Sequence, residues 1–194
     1  LGLVRSDIAE LRAGTPLTLR FTVVMAATCR PIVGANVDVW QCDALGVYSG
    51  VPAPASGDEA GSSPPSQTIP PAQSGTGTFL RGIVKTDGAG VATFQTLYPG
   101  WYPGRTPHIH VKVRLDDTPV HTGQCYFDDA LTDAVYQAAP YNSHTGRDTT
   151  NATDHIYQRG GAESMLTVIS APGAGYVASM TLAIAGASGR DSRL

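Results

Sequence analysis

The chain has 194 residues and a net charge of −3, with only 15 % charged residues and no run of Lys or Arg, which argues against a nucleic-acid partner. No apolar stretch approaches the ~20 residues that span a bilayer, and no segment reads as a signal peptide, so no membrane partner is expected. With 22 glycines and 14 prolines the composition favours short strands joined by many turns, in one domain covering 1–194 with a substantial core.

Leu17, Leu19, Phe21 and Val23 alternate with Thr18, Arg20 and Thr22, which predicts a half-buried strand. Cys29 and Cys42 flank a turn containing Pro31 and Gly34. Either they bridge neighbouring strands, contributing ~3 kcal/mol and indicating an oxidising compartment, or they are two buried thiols. Three cysteines at these spacings fit no zinc motif, and Cys125 reads as a core thiol. Asn36 to Cys42 is a second strand, with Val37 and Val39 on one face and Trp40 on the other.

Ser49 to Thr78 is irregular and carries six prolines. A connection of that length is a binding loop, a lid or a disordered tether, and its start beside Tyr48 favours the wall of a site. Ile83 to Thr86, the turn Asp87-Gly88-Ala89-Gly90 and Val91 to Leu97 predict a hairpin. In His108 to Leu115 the apolar residues Ile109, Val111, Val113 and Leu115 face one way, and His108 and His110 the other. Further strands are expected at Gln124–Phe127, Met165–Ile169 and Val177–Ala185, with one helical turn around Asp129 to Gln137. Pro140 to Ala162 is a second irregular stretch, carrying His144 and His155. The fold class is all-β, an antiparallel β-sandwich or barrel with long loops and little helix.

Strand periodicity puts both imidazoles of His108 and His110 on one face, and Tyr102, delivered by the Pro103-Gly104 turn, can bend back toward them. Phenolate with imidazole suits ferric iron better than zinc, which prefers thiolate and imidazole. Alone, a His-x-His pair is compatible with many sites. A cupin-type metal motif needs a glutamate at position 114, which is Arg114. A ferrous facial triad needs a nearby carboxylate, and Asp116 falls past the strand end. A zinc hydrolase using His108 and His110 remains open.

Several segments together resemble the intradiol ring-cleavage dioxygenases. They are Val39-Trp40-Gln41-Cys42-Asp43-Ala44 with Gly46-Val47-Tyr48, Phe79-Leu80-Arg81-Gly82 with Thr86-Asp87, Tyr102-Pro103 with Arg105-Thr106-Pro107-His108-Ile109-His110, and Gln124 with Tyr126-Phe127. The likeness runs through residues 3 to 127 in family order and is greatest to the short, secreted-type members related to protocatechuate dioxygenase subunits. In such proteins an acidic segment precedes the stretch matching Leu3 to Ile8, so this chain is expected to begin inside its natural protein.

The resemblance implies an extracellular enzyme that cleaves a catechol between its two hydroxyl-bearing carbons with O2, giving a cis,cis-muconate-type diacid. It implies an Fe(3+) cofactor held by Tyr48, Tyr102, His108 and His110. Two tyrosinates and a hydroxide would balance the charge of that ion. Tyr102 is expected to act also as general base, Arg105 as electrostatic stabiliser of the electron-rich substrate, and Gln124 as the residue orienting Arg105.

The alternative is a β-sandwich of the same ancestry without catalysis, binding phenolics or carbohydrate. A carbohydrate-binding domain outside this segment fits the secreted members. Trp40 and Trp101 read as core and pocket-wall aromatics, and His121, His144 and His155 as structural or exposed. Asn151-Ala152-Thr153 is a glycosylation sequon. No basic cluster near the proposed ligands offers itself to a substrate carboxylate, which favours uncharged catechols.

Overall fold

A computed structural model describes residues 3–50 and 77–185. Its strands are β1 (Pro16–Met25), β2 (Asn36–Trp40), β3 (Arg81–Lys85), β4 (Val91–Leu97), β5 (His108–Leu115), β6 (Thr118–Tyr126), β7 (Thr167–Ala171) and β8 (Gly175–Ile184). They form two four-stranded sheets, ordered β4-β1-β8-β7 and β3-β2-β5-β6, which face each other across one hydrophobic core. The all-β sandwich expected from the sequence is the architecture observed. The second sheet is antiparallel throughout, whereas the first contains a parallel pair, β1 with β8.

Period-two alternation builds the core. Leu17, Leu19, Phe21 and Val23 of β1 are fully buried, as are Val37 and Val39 of β2 and Ile109, Val111 and Val113 of β5. Each such side chain contributes about 1.5–3 kcal/mol on burial. The same alternation turns His108, His110 and Trp40 to the opposite, outer face of the second sheet. The site therefore lies outside the sandwich, beneath the connecting loops.

Several sequence expectations are corrected. The stretch from Ile83 to Leu97 is not a hairpin. Its turn is well made, with Asp87 Oδ1 accepting from the N–H groups of Ala89 and Val91, both at 2.9 Å. Yet β3 pairs with β2 and β4 with β1, so Asp87–Gly90 is a corner between sheets. Local turn chemistry says that the chain reverses but not which sheet receives it.

The cysteines do not bridge, and they are not two buried thiols either. Cys29 is exposed and Cys42 buried. Cys29 lies in the turn that precedes β2, and Cys42 follows its far end. Five strand residues at ~3.3 Å each separate those ends.

The helix α1 spans Asp129–Val135 rather than reaching Gln137. It begins where the Asp128 side chain accepts from the N–H groups of Ala130 and Leu131. The later strands are also longer or displaced: β6 begins at Thr118, β7 runs from Thr167 and β8 from Gly175.

The stretch from Pro140 to Ala162 is ordered by short 3₁₀ turns at Tyr141–Ser143 and Tyr157–Arg159, followed by another at Gly161–Ser164. The sequon is structural: Asn151 is buried, its Nδ2 donates to Phe127 O at 2.8 Å, and its Oδ1 accepts from Thr106 Oγ1 at 2.8 Å. The expected loop wall at Ser49–Thr78 falls, between 51 and 76, outside the described residues.

Candidate functional site

Strand register assembles one row across the outer face. Arg81 pairs with Trp40, Trp40 with His110, and His110 with Gln124, while His108 pairs with Tyr126. Trp40 stacks on the His110 ring at 4.7 Å and 5°. Both proposed imidazoles, the proposed glutamine and two flanking aromatics thus come together on adjacent strands.

The tyrosines come from two loops locked against each other. After β2, Asp43 Oδ1 accepts from the N–H groups of Leu45 (3.0 Å) and Val47 (2.9 Å), curling the chain so that Tyr48 enters the site buried. After β4, Gly100 N–H donates to Asp43 O at 3.0 Å. A Cβ on Gly100 would lie 2.5 Å from that oxygen, and one on Gly46 would lie 2.2 Å from Trp101 O. Only glycines permit this approach, and it sets the spacing of the two tyrosines. A turn through Gly104, closed by Arg105 N–H to Tyr102 O at 3.2 Å, then delivers both Tyr102 and Arg105 before β5 begins.

The phenol oxygens of Tyr102 and Tyr48 lie 3.1 and 3.4 Å from His108 Nε2. His108 Nδ1 is 2.7 Å from Thr106 O, a pure acceptor, so Nδ1 carries the proton and the Nε2 lone pair faces the tyrosines. The His110 ring stands 4.9 Å from that of His108.

Burial, and next the Arg105 charge, push His108 down to about 3. Burial also holds His110 well below the usual imidazole range, reinforced by His108 and Arg105. Both rings are therefore neutral donors. Burial pushes Tyr102 up to about 12, against the opposing pull of Arg105, and drives Tyr48 well above the ordinary phenol range.

Two phenol oxygens converging on His108 Nε2, with the neutral His110 ring alongside, form a donor set that fits a hard cation of high charge, which would supply what the phenolates need in order to form. Among the described residues no three His, Cys, Asp or Glu side chains cluster as a metal site. An ion here would take phenol oxygens as well as nitrogens. Asp116, the carboxylate considered from sequence, sits in the β5–β6 turn.

Arg105 is buried and held on three sides. Its Nε donates to Asp154 Oδ2 at 2.9 Å, its Nη2 donates to Gln124 Oε1, and its Nη1 lies 3.5 Å from Tyr102 OH. The same Gln124 oxygen accepts from Tyr126 OH at 2.9 Å. All six residues expected from the sequence are thus brought into one neighbourhood. Sequence reading missed Asp154, an isolated acid in an irregular stretch 49 positions from its partner, with no local signal to mark it. It also assigned no role to Tyr126, and left His144 without the stacking contact it makes with Trp101 at 4.3 Å.

No family model and no curated protein matches the chain. Solved structures do. The structure of an intradiol ring-cleavage dioxygenase from Tetranychus urticae is 32 % identical, with a TM-score of 0.81 over 94 % of this chain and 87 % of that one. The dioxygenase domain of a dioxygenase–carbohydrate-binding fusion from Streptomyces sp. SirexAA-E is 27 % identical, with a TM-score of 0.62 over 94 % and 88 %. A 3-chlorocatechol 1,2-dioxygenase from Rhodococcus opacus 1CP shares the fold, at 20 % identity and a TM-score of 0.58 over 94 % and 64 %.

Proposed function

Given that this chain belongs to the intradiol ring-cleavage dioxygenases, we propose that it binds ferric iron through Tyr48, Tyr102, His108 and His110 and cleaves catechols with O2 between the two hydroxyl-bearing carbons, giving cis,cis-muconate-type diacids. The observation that carries the reading is the approach of the Tyr48 and Tyr102 hydroxyls to the free lone pair of His108. When bound, ferric iron stabilises the phenolates and withdraws electron density from a catecholate, making a ring carbon reactive toward dioxygen.

The side chains supply the rest. Tyr102, as phenolate, is the base that takes a catechol proton at its phenol oxygen. It lies at the end of a tight turn, with Arg105 Nη1 beside that oxygen to stabilise negative charge as the proton moves. Asp154 and Gln124 hold the guanidinium plane, and Tyr126 OH fixes the Gln124 amide with its oxygen toward Arg105. Thr106 O fixes the His108 tautomer, and the Trp40 ring fixes the plane of His110. These contacts preorganise the site before substrate arrives.

The test is metal content and colour. Protein purified or reconstituted with ferric iron is expected to hold one equivalent and to absorb visibly through tyrosinate-to-iron charge transfer, with the band shifting when catechol is added without air. Colourless protein after reconstitution, or stoichiometric zinc without iron, would contradict the proposal.

A further inference from the structure

A cleft of about 330 Å³ opens between β6 and the turns at 156–164, within the ~300–1,000 Å³ typical of small-molecule sites. His110 and Gln124 border it on the site side, Tyr126 forms a wall, and Ile156, Arg159 and Ser164 close the far side. Its lining contains no carboxylate, and Arg159 is its one permanently charged group. Among the described residues no acidic side chain pairs with Arg159, whereas Arg105, the guanidinium beside Tyr102, is occupied by Asp154.

The turn carrying Arg159 is fixed in place by the machinery around Arg105. Asp154 Oδ1 accepts from the N–H groups of Ile156 (2.7 Å) and Tyr157 (3.1 Å), while Oδ2 holds Arg105. The Tyr157 ring stands edge-on to Tyr126 at 5.1 Å, and Gly161 lies so close that a Cβ there would be 2.4 Å from the Tyr157 ring. One carboxylate thus couples the site arginine to the turn that presents the free one.

We infer that this cleft selects catechols bearing a carboxylate, with Arg159 as the specificity-determining residue that receives the anion. The inference rests on the reaction proposed above and reverses the sequence-based expectation of uncharged catechols. The reason for the reversal is positional: Arg159 lies 49 residues beyond His110 in the chain and joins the site only through the fold. A guanidinium presented at an exposed position is partly screened by water, so its effect is modest and weakens with salt.

The test is calorimetric titration of iron-loaded protein without oxygen. The probes are protocatechuate (ring carboxylate), dihydrocaffeate (side-chain carboxylate) and 4-methylcatechol (no charge), applied to the natural chain, Arg159→Gln and Arg159→Lys. At least one carboxylate is expected to bind about two- to fivefold more tightly than 4-methylcatechol, with less advantage at high salt. Arg159→Gln should abolish that preference and Arg159→Lys should keep part of it. Which acid gains locates the carboxylate on the ring or on the side chain. A preference that survives in Arg159→Gln, or natural-chain affinity for 4-methylcatechol equal to that for both acids, overturns the inference. If bound catechol is not cleaved when air is admitted, the proposed reaction fails while the titration still decides the selectivity.

Discussion

Asp154 Oδ2 accepts from Arg105 Nε at 2.9 Å, and both side chains are buried. The carboxylate also accepts from three backbone N–H groups, those of Thr106, Ile156 and Tyr157. It is the joint between the strand carrying the histidines, the site arginine and the far wall of the cleft. Removing one member of such a pair strands a buried charge, at a cost of about 3–5 kcal/mol. Asp154→Ala is expected to lower the urea midpoint by a corresponding amount, and Arg105→Ala to do likewise. Arg105→Lys, which keeps the charge but not the fork, should retain resting colour while kcat falls about 100-fold. Equal stability of Asp154→Ala and the natural chain would show that the pair is not structural.

The same joint makes stability depend on pH. Burial pushes the Asp154 carboxyl up, but the N–H groups of Tyr157 and Thr106 and the Arg105 charge together hold it below the ordinary carboxylate range. A carboxyl depressed on folding adds stability above its unfolded pKa of ~3.9 and loses it as pH falls through the folded value. Iron-free protein is therefore expected to lose more stability between about pH 5 and pH 3 than iron-free Asp154→Asn does. Parallel urea titrations at the two pH values measure the difference, and identical losses would contradict it.

The two tyrosines should separate on mutation. Tyr48 is buried beside His108, so Tyr48→Phe is expected to weaken iron binding and remove most of the colour. Tyr102, beside Arg105, is the proposed proton acceptor, so Tyr102→Phe should retain some iron but lower turnover by about 10²–10⁴-fold. Iron analysis with anaerobic catechol difference spectra distinguishes the outcomes. Equal loss of iron in both variants would remove the division of labour.

The spacing of the tyrosines rests on backbone contact, which a pair of glycine substitutions can expose. A Cβ on Gly100 meets Asp43 O at 2.5 Å and Ala44 backbone at 2.6 Å, so Gly100→Ala is expected to cost about 1–3 kcal/mol and to shift the charge-transfer band by displacing one loop from the other. A Cβ on Gly88 meets nothing within 4 Å, so Gly88→Ala should leave stability unchanged or raise it by ~0.4–1 kcal/mol. Thermal melts and absorption spectra of the two variants test the contrast.

The legible parts of the sequence were those governed by local rules. Alternation of Ile109, Val111 and Val113 against His108 and His110 identified β5 and the face of the site, and the Pro103-Gly104 turn placed Tyr102 near it. Partner choice was not local. Asp87–Gly90 has the chemistry of a hairpin turn, yet joins two sheets because the corner is decided by which strands β2 and β1 accept. Asp154 and Arg159 carry no local signal, since a buried ion pair and a cleft wall depend on contacts across dozens of residues. Asn151 shows the converse: its sequon is explicit, but its amide is spent on Phe127 O.

The central claim is that these residues support cleavage between the two hydroxyl-bearing carbons, and the most direct measurement is product analysis after single-turnover reaction of iron-loaded protein with a catechol under isotopically labelled dioxygen. The expected result is a cis,cis-muconate-type diacid carrying both labelled oxygen atoms. A product opened beside the hydroxyl pair, or no labelled product while catechol binds, would contradict it.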